Sequence, residues 1–246
     1  MNKEEFYLGL QDKFAQLIAE NNLDLDELSV ATKGLSTQEA IGKTLRRDFP
    51  IIKGKEVMLQ ANYKGHSGQA FTSTPVEFVG SLRQVLEADI VHDDLSLSLF
   101  IATLNAVMSY LGLIEGTIHC RNEGPELCGE KYVEYLQQTY GSDPKILLVG
   151  YQAALVAHLS QVYDLHCVDL NPENIGKIIN GIEVEDGRDF EALRDWADVI
   201  LCTGSTIANA SIVDYLDLDK DVIFYGTSAS GAAELMGLKR LCFCSE

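Results

Sequence analysis

KILLVGYQAALVAHLSQVYDLHCVDL, residues 145–170, decides the fold. Residues 145–150 form a continuous apolar run that closes on Gly150. Residues 153–163 read as a helix, and LHCVDL is a second apolar run ending at Asp169. Apolar strands alternating with helices belong to a parallel sheet covered on both faces. The rhythm continues downstream. Strands are predicted at 199–203, 222–225 and 240–244, and helices at 190–196, 207–216 and 230–236.

The residues upstream read differently. Phe6, Leu10, Phe14, Leu17 and Ile18 stand at helical spacing within residues 3–20, which predicts an amphipathic opening helix. Residues 28–34 and 41–49 read as short irregular strands. Residues 56–72, EVMLQANYKGHSGQAFT, read as a hairpin with Gly65 and Gly68 supplying the bend. Pro75 opens a helix through Leu86, and Asp93 or Asp94 caps an apolar helix over 95–111. Strands and helices are segregated here, an α+β pattern. The expected class is therefore α/β, with an α+β domain over 1–94 and a parallel-sheet domain over 95–246. Residues 95–114 carry no charge and are long enough to span a bilayer. They include Ser96, Ser98, Thr103, Asn105, Ser109 and Tyr110, and no Lys or Arg flanks them, so a buried core helix is the better reading.

The 246 residues are 46% apolar and 8% aromatic, a globular composition. Against 37 Asp and Glu stand 19 Lys and Arg, a net charge of −18. Such a surface repels nucleic-acid backbones and anionic lipid, so neither nucleic acid nor membrane is an expected partner. The opening residues MNKEEFYLGLQDKF put charge where a secretory signal needs apolar residues. A cytoplasmic location follows as the expectation, with the six cysteines reduced. A homodimer is the base-rate expectation for a soluble oligomer.

Ligands of such sheets bind beyond the carboxyl ends of the strands. Four segments converge there: Gly150-Tyr151-Gln152, Asp169-Leu170-Asn171, Thr203-Gly204-Ser205-Thr206 and Gly226-Thr227-Ser228. Gly150 and Asp169 have the spacing of a phosphate-turn glycine and a ribose-binding carboxylate. The YQAAL after Gly150 lacks the further glycines that let a pyrophosphate approach, which weighs against a standard NAD enzyme. Asp169 capping the next turn is the alternative. In TGSTIANASIVDYL, residues 203–216, a strand leads through a hydroxyl-rich turn into a predicted helix. The helix start makes an anion site, with Thr203, Ser205, Thr206 and Asn209 as added donors. The same residues serve equally as helix caps. Asn105 is the lone amide of an apolar helix, either a bonded core residue or a cleft residue. His66 reads as a loop residue within reach of a cleft, His92 as surface, His158 as core edge, and His166 with Cys167 as structural.

TIHCRNEGPELC, residues 117–128, offers His119, Cys120 and Cys128 as metal-ligand candidates. Residues 117–120 are a predicted short strand, and Pro125 opens a helix through Tyr140. On a strand His119 and Cys120 point to opposite sides, so at most one joins Cys128. A soft-metal site needs about four ligands. The segment therefore reads as a strand-to-helix turn unless Cys242, Cys244 or the cleft supplies the rest. No GxSxG, HExxH, P-loop or CxxC is present.

ATLNAVMSYLG (102–112), KILLVGYQAALVAHL (145–159), DVILCTGSTIANASIVDYL (198–216) and IFYGTSASGAAELMG (223–237) carry a resemblance. Together with the α+β first half they resemble the putative heavy-metal chelation family over nearly the whole chain. The most specific parts are residues 203–209 and then 104–106. The resemblance implies a first domain similar to the enolase N-terminal fold, a Rossmann-like second domain and a site in the cleft between them. It carries over to Gly68 and Thr72 in the hairpin, Asn105, Gly150, Asp169 and residues 203–209. With the strand-end turns, the candidate ligand residues are Gly68, Thr72, Asn105, Gly150, Asp169, Thr203, Gly204, Ser205, Thr206, Asn209, Gly226 and Ser228. Three functions remain open. The first is a protein binding a small ligand, heavy-metal ion or metal complex, with or without catalysis. The second is a transferase for S-adenosylmethionine or a nucleotide-like ligand, and the third is a non-catalytic interaction module. No acid, base or nucleophile stands out for a transferase, and a mere scaffold has no use for the polar turns, so the first is favoured.

Overall fold

The computed structural model describes residues 1–44, 46, 48–53 and 57–246. It opens with α1 (Lys3–Glu20), whose buried face is Phe6, Tyr7, Leu10, Phe14 and Ile18. Asn2 and Glu5 close a capping box at its start. Next come β1 (Val30–Leu35), α2 (Thr37–Ile41), β2 (Val57–Tyr63) and β3 (His66–Thr72). Lys64 and Gly65 join β2 to β3 with φ of 46° and 88°, the positive values a two-residue primed turn demands. The chain continues through β4 (Phe78–Gly80), α3 (Leu82–Leu86), α4 (Asp94–Tyr110) and α5 (Gly124–Tyr140). The remainder alternates: β5 (Ile146–Val149), α6 (Ala153–Leu159), β6 (Leu165–Asp169), β7 (Ile178–Ile179), β8 (Ile182–Asp186), α7 (Glu191–Trp196), β9 (Val199–Thr203), α8 (Ser205–Ala208), β10 (Asp221–Tyr225) and α9 (Ser230–Met236).

The first sheet is antiparallel in the order β3-β2-β1-β4. The second runs β10-β9-β5-β6-β8-β7; its first five strands are parallel and β7 is antiparallel. This is the Rossmann order, and the chain reverses its winding between β5 and β9. Side chains of β5 alternate between the two faces. Leu147 and Val149 join a core shared with α1, α4 and the first sheet. Ile146 and Leu148 join Tyr132 and Leu136 of α5 on the other face. No helix among the described residues is long and apolar enough to cross a membrane; α4 is buried from Leu97 to Met108 inside the protein.

Several sequence expectations change. The helix expected from Pro75 is replaced by β4, because Phe78–Gly80 pairs with β1; α3 starts only after Ser81, which caps it in a box with Gln84. The helix expected over 207–216 ends at Ala208. Ala210 takes a left-handed φ of 62°, and a 3-10 turn, Ser211–Tyr215, follows. Gly68 lies within β3, not in the bend. Residues 117–120 form no strand, although Thr117 accepts from Gln69 N and Ile118 exchanges two backbone bonds with Glu246. Residues 240–244 contribute only a bridge between Arg240 and Phe224. The sequence reading passed over the β7–β8 hairpin, whose Asn180-Gly181 turn has both φ values positive. Ile41 of the strand expected over 41–49 ends α2; residues 45 and 47 of that span, and Glu56 of the expected hairpin, lie outside the described residues.

A close backbone contact joins the halves. A Cβ on Gly68 would stand 2.2 Å from Ala106 N, so β3 meets α4 backbone to backbone. Beside it, fully buried Asn105 donates through Nδ2 to Gln69 O and Thr227 O, both at 3.0 Å. Its Oδ1 accepts from Gly231 N at 2.7 Å. Asn105→Ala would strand the Gly231 amide and take a donor from the buried carbonyls of Gln69 and Thr227. The expected loss is about 3 kcal/mol of unfolding free energy, measured by urea denaturation.

Candidate functional site

A cavity of about 200 Å³ opens beyond the carboxyl ends of the parallel strands, around the β5–β9 switch point. Gly150, Tyr151 and Gln152 line it after β5, and Asp169, Leu170 and Asn171 after β6. Thr203 to Thr206 and Asn209 line it after β9, and Gly226 and Ser228 after β10. Opposite these turns the wall includes Phe49, Phe71, His119, Cys120, Cys128, Tyr132 and Cys242, with Ile41 and Ile51 beside them. Asn122 steadies this side by donating its amide N–H to Ile41 O and accepting from Lys43 N. Arg46 pairs with Glu126 of α5 at 2.7 Å.

The polar turns are tightly committed to one another. Gly150 has φ of 86°, and a Cβ there would stand 2.5 Å from the Thr203 methyl. The space a pyrophosphate uses beside the first-turn glycine is thus filled by a side chain. Asp169 accepts from Tyr151 N at 2.7 Å and from Asn171 N at 2.6 Å, bracing the turns after β5 and β6. Thr206 donates to Thr203 O at 2.7 Å, and Asn209 Oδ1 accepts from the Ser211 backbone and hydroxyl. Ser228 Oγ accepts from Phe71 N at 2.9 Å and ties the wall to β3. The helix after the 203–206 turn, α8, is a single turn of four residues without a side-chain cap, so its dipole is small. Gly226, at φ of 88°, is different. Among the described residues other than its chain neighbours, Gly204 N alone lies within 4.0 Å of its missing Cβ, so its face is open.

The thiol side is chemically distinct. The neighbouring Cys128 thiol, the Arg240 charge, Ser245 and the Gly226 amide hold Cys242 well below an ordinary thiol pKa despite burial. Cys128 is pushed up by Cys242 beside it and by burial, and Cys120 is pushed up by burial. Gly124 lets Cys120 pack close: a Cβ there would be 2.8 Å from Cys120 Cβ and 3.9 Å from Cys244 Cβ. His119 stands 2.7 Å from Cys120 O through Nδ1 and meets Phe71 edge to face. Burial lowers its pKa. Among the described residues no group of three or more His, Cys, Asp or Glu is set to hold a metal ion. The donors present do not make a closed four-ligand centre.

Most sequence-predicted residues meet at this cavity: Gly150, Asp169, the 203–206 turn, Asn209, Gly226, Ser228, His119, Cys120 and Cys128. Gly68 and Asn105 belong to the α4–β3 seam, outside the lining. Thr72 also stands outside it, bonded to Ser98 and Thr74. His66 bonds Ser109, His92 pairs with Asp89, His158 with Glu126 and His166 with Glu185, all away from the cavity. Sequence reasoning missed Phe71, Tyr132, Phe49 and Ile51 as wall residues. No local pattern marks them, because each is brought in by packing from a distant segment.

Residues 135–239 match the model of the family described as putative heavy-metal chelation. The match carries the resemblance read from the sequence through most of the parallel-sheet region. A solved protein of unknown function from Pyrococcus horikoshii, of the same family, is similar at a TM-score of 0.57 and 15% identity, over 90% of this chain and 78% of that one. Another from Desulfitobacterium hafniense is similar at 0.51 and 13%, over 73% and 72%. These likenesses show the fold. No curated protein matches the sequence.

The His119 shift has a signed consequence. The folded protein keeps this imidazole neutral, while the unfolded chain takes up a proton near the ordinary value of 6.5. Its contribution to stability is complete above that pH and is lost as pH falls from there towards the folded pKa. His119→Gln should flatten the fall in urea midpoint between about pH 7 and 5.

Proposed function

We propose that this protein binds a soft metal ion carried in a small organic complex, held in the cavity at the β5–β9 switch point. The observation that carries the reading is the shared lining: strand-end turns, aromatic and aliphatic walls, and the thiols of Cys120, Cys128 and Cys242 face one space. Soft thiol donors favour thiophilic metals, and the open face of Gly226 admits a ligand close to the backbone. The description of the matched family points the same way. The thiols must be reduced to serve, the state that a cytoplasm maintains, and we place the protein there. All six cysteines are free.

A transferase for S-adenosylmethionine or a nucleotide is the second reading, favoured by the Rossmann order and by Asp169 at the end of β6. Against it stand the filled space beside Gly150 and the engagement of both Asp169 oxygens by backbone amides.

Thermal unfolding with Cu(I) as its cysteine complex, S-adenosylmethionine, NAD and nucleotides decides between them. The copper complex should stabilise the protein. Ser205→Phe, which fills the polar end of the cavity, should weaken that complex by about tenfold or more. No shift with the copper complex, or a nucleotide shift abolished by Asp169→Ala, overturns the reading.

A further inference from the structure

Resting on the reading that this cavity binds a small organic molecule, we infer that the site recognises an acyl group on that molecule, a carboxamide or a carboxylate. The groups that do so are three side-chain amides and a tyrosine that the fold leaves unspent. Gln152, Asn171 and Asn209 line the cavity after β5, β6 and β9. Each turns its oxygen back to the chain. Gln152 Oε1 accepts from Leu155 N at 2.5 Å, Asn171 Oδ1 from Glu173 N at 3.0 Å and Asn209 Oδ1 from Ser211 N at 3.1 Å. A backbone N–H only donates, so each bond fixes which end of the amide is oxygen. The NH2 end is left over in all three, and none has an acceptor among the described residues. Tyr215 adds a fourth group. It lines the same cavity, is 5% exposed and packs its ring on Phe190 at 5.0 Å, yet its hydroxyl has no hydrogen-bond partner among the described residues. A buried phenol ordinarily has one.

The charge of the lining selects among oxygen groups. Among the described residues no Lys or Arg lines the cavity. Its one carboxylate, Asp169, has both oxygens engaged by Tyr151 N and Asn171 N. The same two bonds hold the turns that carry Gln152 and Asn171 side by side. Neutral N–H donors suit an acyl group, whose charge is at most one and is spread over two oxygens. A phosphate dianion calls for Arg, Lys or a long helix's N-terminus. An ammonium needs acceptors, and the oxygens of these amides and of Asp169 are already taken. Opposite the donors, Phe49, Phe71 and Tyr132 supply an aromatic wall, so an apolar ring suits the body behind the acyl group.

The test is calorimetric titration of the full chain with four probes that share one body and differ in head group: naphthamide, naphthoate, naphthyl phosphate and naphthylmethylammonium. The carboxamide and the carboxylate should bind at least about tenfold more tightly than the phosphate and the ammonium. Asn171→Asp and Gln152→Glu keep the oxygen that braces each turn and exchange the NH2 for a second oxygen. Each should weaken the carboxamide by about tenfold or more and leave thermal unfolding without ligand unchanged. An amide that only braced its turn would be replaced by the carboxylate without loss of binding. Tyr215→Phe, which removes a hydroxyl that bonds nothing in the protein, should also weaken the carboxamide and spare the fold. Three results overturn the inference: phosphate or ammonium binding as tight as the carboxamide, amide variants that bind it like the wild type, or no binding of either acyl probe. In the last case the copper complex separates the two failures. If it stabilises the wild-type protein and Ser205→Phe weakens it, the cavity reading stands and only the acyl class falls; if it does not, both fall.

Discussion

Asn105 makes all its hydrogen bonds to backbone groups that belong to three different parts of the chain: Gln69 in β3, Thr227 after β10 and Gly231 in α9. It sits in a helix otherwise apolar through its buried length, where an unpaired amide would be costly. The bonds are reachable only because Gly68 and Gly231 lack side chains. A Cβ at Gly231 would stand 2.8 Å from Leu104 and 3.0 Å from Asn105 Oδ1. The seam therefore couples composition to geometry: small residues allow contact, and one amide satisfies the polar groups that contact buries.

The cavity inherits its shape from that seam. Thr227 and Gly231 bracket the wall residue Ser228, whose hydroxyl takes Phe71 N, so β3 and the turn after β10 are held at two neighbouring points. Tyr7 in α1 adds a bond to Ile207 O beneath the turn after β9. The hydroxyls and carboxylate that look like ligand groups serve largely to lock these turns. A rigid frame of this kind suits recognition by shape, at the open face of Gly226 and the apolar wall, more than by those locked groups.

Much of the architecture is legible locally. A parallel sheet follows from apolar runs closing on Gly150, Asp169 and Thr203, since only strands buried on both faces can be apolar on both. The strand-end turns were identifiable because ligands of such sheets lie beyond their carboxyl ends. Other features were less legible. Phe78–Gly80 looks helical after Pro75 yet pairs with β1, as tertiary pairing overrides local propensity. Ala210 ends the helix after Thr203 through a left-handed backbone that nothing in its side chain announces.

By itself, then, the sequence determined the layered α/β class, the positions of the turns at the strand ends and the buried character of α4, all properties of periodicity and hydrophobicity along the chain. Only the tertiary structure decided that Asn105 staples three backbone segments, and that TIHCRNEGPELC has a neighbour. Its Cys128 shares the cavity wall with Cys242, which lies far along the chain. The reason is physical. Hydrogen bonding and thiol contact act over a few ångströms in space, and sequence spacing carries no record of which distant backbones packing will press together.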